Sequence, residues 1–210
     1  MIRALVADDH AVVRRGVKEL LIDSGEVAVL GEAASGREVL EHVRRAEWDV
    51  CVLDINLPDQ SGFDVLQTLK AERPDLPVLI LTICSEDQYA VRALRAGAAG
   101  YLTKESAPEE LVGAVRKVVA GGRYISATLA ERLALRVGDS MEAPAHEALS
   151  DREFQVFRLL ASGHTASQAA ETLHLSVKTI STYRARVLEK MALRSNADLV
   201  LYAARNGLIE

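Results

Sequence analysis

Over the first 123 or so residues, short apolar runs alternate with longer amphipathic stretches. Ala4-Leu5-Val6-Ala7, Val27-Ala28-Val29-Leu30, Val50-Cys51-Val52-Leu53, Val78-Leu79-Ile80-Leu81 and Ala99-Gly100-Tyr101-Leu102 are too short for helices and read as strands. The middle runs are apolar throughout, which suits a sheet buried on both faces. The intervals have helical periodicity, and three of them open on a capping box: Ser35 with Glu38, Ser85 with Gln88, and Ser106 with Glu109. Five strand-helix repeats predict an α/β domain with a parallel sheet.

Residues 124–146 break this rhythm and end in Gly138-Asp139-Ser140-Met141-Glu142-Ala143-Pro144-Ala145, a linker signature into which a helix can extend over residues 128–137. Beyond it strand signals vanish. Ser150 and Glu153 form a further capping box, with Leu149 and Phe154 placed as its hydrophobic staple. Thr165 with Gln168, Ser176 and Ser195 open three more helices. The expected organisation is therefore a domain over residues 1–123, a linker over 124–146, and an all-α four-helix domain over 147–210.

The net charge of −5 argues against indiscriminate nucleic-acid binding, but the charge is uneven. From His146 onward eight Lys/Arg meet seven Asp/Glu, so the acidity belongs to the N-terminal part. No run approaches the roughly eighteen apolar residues of a membrane span, and the opening residues lack a signal-peptide pattern, so the expected location is cytoplasmic, with no membrane partner. Cys51 lies inside an apolar run and Cys84 just after another, without the spacing of a disulfide framework or a zinc site.

The strand ends carry the candidate chemistry. Asp8 and Asp9 follow the first strand, Asp54 ends the third, Thr82 ends the fourth, and Lys104 lies just after the fifth. If the sheet is doubly wound in the flavodoxin-like order 2-1-3-4-5, the first and third strands are neighbours and three carboxylates meet at one rim. Magnesium answers their repulsion, because it takes oxygen ligands, accepts one or two carboxylates and favours phosphate oxygens. In such a site Asp54 can attack a phosphoryl group while Lys104 neutralises charge and the Thr82 hydroxyl bonds a phosphoryl oxygen. Taken singly, each Asp also reads as a helix cap or turn residue and Lys104 as a solvated lysine; it is the set of five that carries weight.

Asp8-Asp9-His10, Asp54-Ile55-Asn56-Leu57-Pro58, Leu81-Thr82 and Gly100-Tyr101-Leu102-Thr103-Lys104 resemble the receiver-domain pattern in order and spacing. The resemblance implies that Asp54 is the phosphoacceptor and that Asp8, Asp9, Asp54 and the backbone carbonyl of Asn56 hold Mg2+. It also implies that Thr82 and Lys104 contact the phosphoryl group, and that Tyr101 is the aromatic that reorients as Thr82 moves. A ring simply packed at the sheet edge is the alternative for Tyr101. Ile83 is bulkier than in many receivers, and Cys84 stands where side chains influence water attack, so these two positions bear on the lifetime of the phosphorylated state. Cys84 as a reactive thiol is a further alternative.

In residues 165–191 two helical patterns are separated by Leu173-His174-Leu175-Ser176. Val177, Ile180, Val187, Leu188 and Met191 are expected to face the core, while Lys178, Ser181, Thr182, Ala185 and Glu189 form a stripe of mostly small polar residues flanked by Arg184, Arg186 and Lys190. Small residues let a backbone approach base edges in a major groove, and flanking cations reach phosphates. Residues 178–194 hold five basic residues and one acid, an electrostatic footprint for DNA that is also compatible with a merely solvated helix. Leu149-Ser150-x-Arg152-Glu153 and Leu175-Ser176-Val177-Lys178-Thr179-Ile180-Ser181-x-Tyr183 with Val187 and Lys190-Met191 resemble the helix-turn-helix of LuxR- and NarL-type regulators.

The resemblance implies that Lys178, Ser181, Thr182 and Ala185 approach the groove, with Thr179, Arg186 and Lys190 also in the DNA-binding set, and that the chain forms a homodimer on inverted half-sites of double-stranded DNA through a last helix over residues 195–205. Arg184 sits near the buried edge as a candidate structural partner, and His164 and His174 read as turn residues. The whole resembles a two-component response regulator of the NarL/FixJ type, whose partner is a sensor histidine kinase and which is not a turnover enzyme. Two rivals remain. A haloacid-dehalogenase-like phosphatase needs a second acid two residues after its nucleophile, where Asn56 stands; a receiver that is never phosphorylated has no use for the acidic set.

Overall fold

The computed structural model describes residues 1–209 except Ser85, Thr128, residues 132–143 and His174; the side chains of Val29 and residues 86–88 are also outside the description. The chain divides into two compact units, Met1–Asp139 and Ser140–Glu210.

The first unit alternates β1 (Ile2–Ala7), α1 (Ala11–Asp23), β2 (Val27–Ala33), α2 (Gly36–Arg45), β3 (Val50–Leu53), α3 (Gly62–Glu72), β4 (Val78–Thr82), α4 (Glu86–Arg95), β5 (Gly100–Thr103) and α5 (Ala107–Val119). All strand pairs are parallel and the order is β2-β1-β3-β4-β5, the doubly wound arrangement expected. Buried Ala4, Val6, Val50, Val52, Leu79, Leu81 and Leu102 point to one face. There they meet Val17 and Leu21 of α1 and Leu111, Ala114, Val115 and Val118 of α5, a run at helical spacing. Leu5, Leu53, Ile80 and Tyr101, the alternate residues, are equally buried. This two-sided burial explains the all-apolar strands.

The capping boxes that the sequence marks divide into those that form and those that do not. Ser35 accepts a hydrogen bond from the Glu38 amide, and the Glu38 carboxylate accepts one from the Ala34 amide at 2.7 Å. The capping box at Ser106 is not formed. Ser106 has helical φ/ψ (−84°, −9°), and its hydroxyl turns back to the Thr103 carbonyl at 3.2 Å instead of capping α5. The expected box at Ser85 and the extension over 128–137 fall largely outside the described residues. The main chain of Tyr124, the first residue of the expected linker, pairs with the β5 edge: its amide donates to Ala99 O at 2.9 Å and its carbonyl accepts from the Tyr101 amide at 3.2 Å.

The second unit has a 3-10 turn (Ala145–Ala148) followed by α6 (Asp151–Ala161), α7 (Ala166–Thr172), α8 (Val177–Lys190) and α9 (Asn196–Arg205). The boxes Ser150/Glu153 and Thr165/Gln168 are both complete, and Leu149 and Phe154 are buried. The core gathers Phe154, Phe157, Leu160, Ile180, Val187, Leu199 and Ala203. Val177, expected in that core, is 47% exposed. It is the first residue of α8 and lies toward one edge of the arc centred on Ile180, Val187 and Met191. Leu188, on the same edge, is only half-buried.

Helix α8 ends in a left-handed residue, Ala192, at φ +54°. The Leu193 amide donates to Leu188 O at 2.8 Å and the Ala192 amide to Glu189 O at 3.1 Å, the paired bonds of a Schellman motif. Glycine is the residue that this conformation favours. Ala192→Gly is therefore expected to stabilise the second unit by about 0.5–1 kcal/mol, read as a higher midpoint of its thermal unfolding.

Candidate functional site

Strand register assembles the acidic pocket. Ala7 pairs with Leu53, so Asp8 and Asp54 leave neighbouring strands at the same level, and Thr82 pairs with Thr103, one residue before Lys104. The Asp54 amide donates to Ala7 O at 2.9 Å and the Lys104 amide to Thr82 O at 2.8 Å, fixing the strand ends. Lys104 Nζ lies 2.6 Å from Asp8 Oδ2 and 2.7 Å from Asp54 Oδ2. Both carboxylates are buried, at 2% exposure, as is Thr82. One ammonium thus joins carboxylates 46 positions apart in a chain of 210 residues.

The surroundings set the charge states. Burial lifts the Asp54 carboxyl above the ordinary range; Lys104 and the Thr82 hydroxyl oppose the lift, and Asp8 reinforces it. For Lys104 burial acts the other way, but its ion pairs with Asp54 and Asp8 outweigh burial and hold the ammonium above the usual lysine value. The lysine is therefore cationic at neutral pH. Asp54 Oδ1 accepts from the Asn56 amide at 3.2 Å, and Asp8 Oδ1 from the His10 amide at 2.9 Å.

Asp9 contributes an oxygen that calls for a further partner. Its Oδ1 is buried and accepts no hydrogen bond of good geometry, although His10 Nδ1 lies 2.6 Å away. Ligand atoms of Asp8, Asp9 and His10 lie within 4.8 Å of one another. Carboxylates with one unsatisfied buried oxygen make a hard donor set, and they fit a magnesium ion.

Tyr101 is fully buried, and its hydroxyl donates to the Cys84 carbonyl at 2.9 Å. The Cys84 amide donates to Thr82 Oγ1 at 3.4 Å, and Asn56 Nδ2 lies 3.8 Å from Cys84 Sγ. The loop after β4 therefore touches the pocket's threonine, its tyrosine and the residue two beyond Asp54. Ile83, between them, is 75% exposed. Cys51 is a packing residue, since burial pushes its thiol up to about 12.

Two pocket-building residues were not evident from the sequence. The Asp59 carboxylate accepts from the Gly36 and Arg37 amides at 2.8 and 2.9 Å, tying the loop after Asp54 to the start of α2. Gly62 lets α3 approach that loop: a Cβ there would lie 2.2 Å from Asp54 O. Glycine in a first helical turn behind the good cap Ser61 was the available signal, since helix propensity alone disfavours it.

On α8, Lys178, Ser181, Thr182, Ala185 and Arg186 are exposed on one side. The hydroxyls of Ser181 and Thr182 donate back to Val177 O and Lys178 O at 2.9 and 3.1 Å, leaving oxygen lone pairs as acceptors. Thr179 Oγ1 is engaged with the capping Ser176 hydroxyl at 2.8 Å. Arg184 Nε donates to Asn196 Oδ1 at 2.6 Å, and Lys190 Nζ to Glu153 Oε2 at 2.6 Å. These last two cations tie α8 to its own domain. His164 is exposed in the turn before α7; His174 lies outside the described residues.

A doubly wound sheet with a lysine-bridged carboxylate pocket, followed by a helical unit with a polar, basic helix face, defines a class: a receiver joined to a helix-turn-helix. Residues 4–116 match the response regulator receiver domain, and residues 147–203 match bacterial regulatory proteins of the luxR family. The chain is 38% identical over 214 residues to the response regulator GacA of Pseudomonas aeruginosa, covering 100% of this chain and 99% of GacA. To the response regulator UvrY of Escherichia coli K12 it is 34% identical over 210 residues, covering 99% and 96%. The chain belongs to the NarL/FixJ family of response regulators, which are DNA-binding regulators of transcription. Its fold is similar to RcsB from Salmonella enterica serovar Typhimurium bound to promoter rprA with the phosphomimetic BeF3−, at TM-score 0.65 and 23% identity, covering 97% of this chain and 99% of RcsB. Among the described residues no helix is long and apolar enough to cross a membrane.

Proposed function

We propose that Asp54 accepts a phosphoryl group from the phosphohistidine of a partner sensor histidine kinase, and that the resulting aspartyl phosphate controls DNA binding by the C-terminal unit. A carboxylate oxygen attacks phosphorus, a P–O bond forms and the P–N bond to the histidine breaks. The observation that carries this reading is the Lys104 ammonium within 2.7 Å of both Asp54 and Asp8. It marks where anionic charge is already neutralised, and it can follow a phosphoryl oxygen on Asp54 as the charge moves there. Asp8, Asp9, Asp54 and the Asn56 carbonyl are the residues that would hold Mg2+, which supplies further neutralisation of phosphoryl charge when bound.

Thr82 bonds a phosphoryl oxygen, and its movement breaks its tie to the Cys84 amide. Tyr101 loses the position of its carbonyl acceptor and reorients; this is the switch. The chain catalyses only its own phosphorylation and dephosphorylation. The receiver spans residues 1–123 and the linker 124–146. The unit over 147–210 binds inverted half-sites in the cytoplasm as a homodimer through α9, where Val200 and Leu201 are exposed at 39% and 51%. Lys178, Ser181, Thr182 and Ala185 approach base edges, Thr179 closes the helix start, and Arg186 reaches phosphate.

The test pairs DNA selection with a phosphate assay on the full chain, using Mg2+ and a small acyl phosphate. Expected are about one phosphoryl group per chain, slow release, and palindromic sites bound more tightly after phosphorylation. Rapid multiple-turnover phosphate release would instead make the pocket that of a phosphatase. Equal affinity of the phosphorylated and unphosphorylated forms would remove the coupling.

A further inference from the structure

Lys190 is the last residue of α8, and although its side chain is 42% exposed, its ammonium reaches back to α6. It lies 2.6 Å from Oε2 of Glu153, whose residue is only 3% exposed, and that same oxygen accepts from the Ser150 amide at 2.7 Å. Glu153 sits in the first turn of α6, where the helix dipole and free amides favour an anion; Lys190 sits in the last turn of α8, where the dipole favours a cation. The pair therefore joins two helix ends of opposite polarity. Burial alone would raise the Glu153 carboxyl, yet Lys190 and the Ser150 bonds hold it below the usual glutamate value, so it is ionised and acts as a fixed anchor. At 1.5 Å per residue Lys190 is roughly 18 Å along the helix from Lys178, away from the N-terminal turns that enter a groove. A second tie, Arg184 Nε to Asn196 Oδ1, holds the middle of α8 to the start of α9.

We infer that Lys190 is a positioning residue that acts through Glu153 to fix the angle of the DNA-reading helix, and that it is not a phosphate contact. This rests on the reading of α8 as the DNA-binding helix. The two roles predict opposite signs for one substitution. If Lys190 bound phosphate, Glu153→Gln would release its ammonium, strengthen binding and steepen the salt dependence. If it positions the helix, Glu153→Gln loosens the helix and weakens binding. Glutamine keeps an acceptor for the Ser150 amide, so the cap of α6 survives.

The experiment measures affinity of the phosphorylated full chain for its selected DNA site at several salt concentrations. The proteins are the parent, Lys190→Met, Glu153→Gln and the double variant. Expected is a loss of about tenfold in each single variant, no further loss in the double, and an unchanged slope against log salt. Amide spectra of the second unit report that each variant is folded; if Lys190→Met is not, Glu153→Gln alone decides by its sign. A slope that falls by about two per dimer in Lys190→Met, or tighter binding by Glu153→Gln, overturns the proposal. If the parent itself shows no salt-dependent binding, the reading of α8 fails instead.

Discussion

An Asp54→Asn chain is expected to take up no phosphoryl label and, at neutral pH, to unfold at a higher urea concentration than its parent. The amide cannot attack phosphorus as the carboxylate does, and it removes a buried charge. Ionised Asp54 is buried beside Asp8, and its carboxyl lies above the ordinary value of 3.8. A raised folded-state value means that the stability Asp54 contributes is full below the ordinary carboxylate range and is lost as pH rises through the raised value. Asparagine has no such titration, so the variant's advantage should grow as pH rises from about 4 and level off once Asp54 is fully charged. Lys104 does not become an orphan, because Asp8 Oδ2 remains 2.6 Å from its ammonium. A gain of about 0.5–2 kcal/mol is expected, the ordinary exchange between an active pocket and stability. Magnesium should narrow the gap by stabilising the parent. A labelled Asp54→Asn protein would point to another acceptor; a less stable one would mean that the Lys104 bond to Asp54 outweighs the cost of burying its charge.

What the sequence makes legible is whatever repeats or ends an element. Apolar strands give the sheet, and the residues that terminate them give Asp8, Asp54, Thr82 and Lys104, because a parallel sheet sends all its strand ends to one rim. The missed features depend on distances between segments that no local pattern encodes. Ser106 has the letters of a capping box, but its hydroxyl finds the Thr103 carbonyl first. The Lys190–Glu153 ion pair spans 37 positions, and in sequence Glu153 looks like no more than half of a capping box. Glu153 is both: its carboxylate caps α6 and anchors α8. Val177 fits the apolar period of α8 yet stands at the helix start, beside the buried arc. Tyr124 lies in the expected linker, but its backbone completes hydrogen bonds at the β5 edge next to Tyr101.

Substitution of Gly62 by alanine is expected to destabilise the receiver by about 2–4 kcal/mol, although alanine is the better helix former by about 1 kcal/mol. The added Cβ would lie 2.2 Å from Asp54 O and 2.7 Å from Ile55 Cα, both backbone atoms of the loop that carries the acceptor. Helix α3 cannot withdraw to make room, because Phe63, Val65, Leu66 and Leu69 are all fully buried. The loop cannot withdraw either, since the Asp54 amide is bonded to Ala7 O and the Gly62 amide to Ile55 O. The clash must then displace Asp54 from Lys104, so phosphorylation should slow in whatever fraction remains folded. Gly113, in α5 with nothing within 4 Å of its Cβ position, provides the control. Gly113→Ala should stabilise the same domain by about 0.5–1 kcal/mol. The chain's one tryptophan, Trp48, lies in this unit, so its fluorescence in urea reads receiver unfolding without signal from the helix-turn-helix. If the two alanine variants shift the midpoint in the same direction, close approach of α3 to the Asp54 loop is not what glycine provides at position 62.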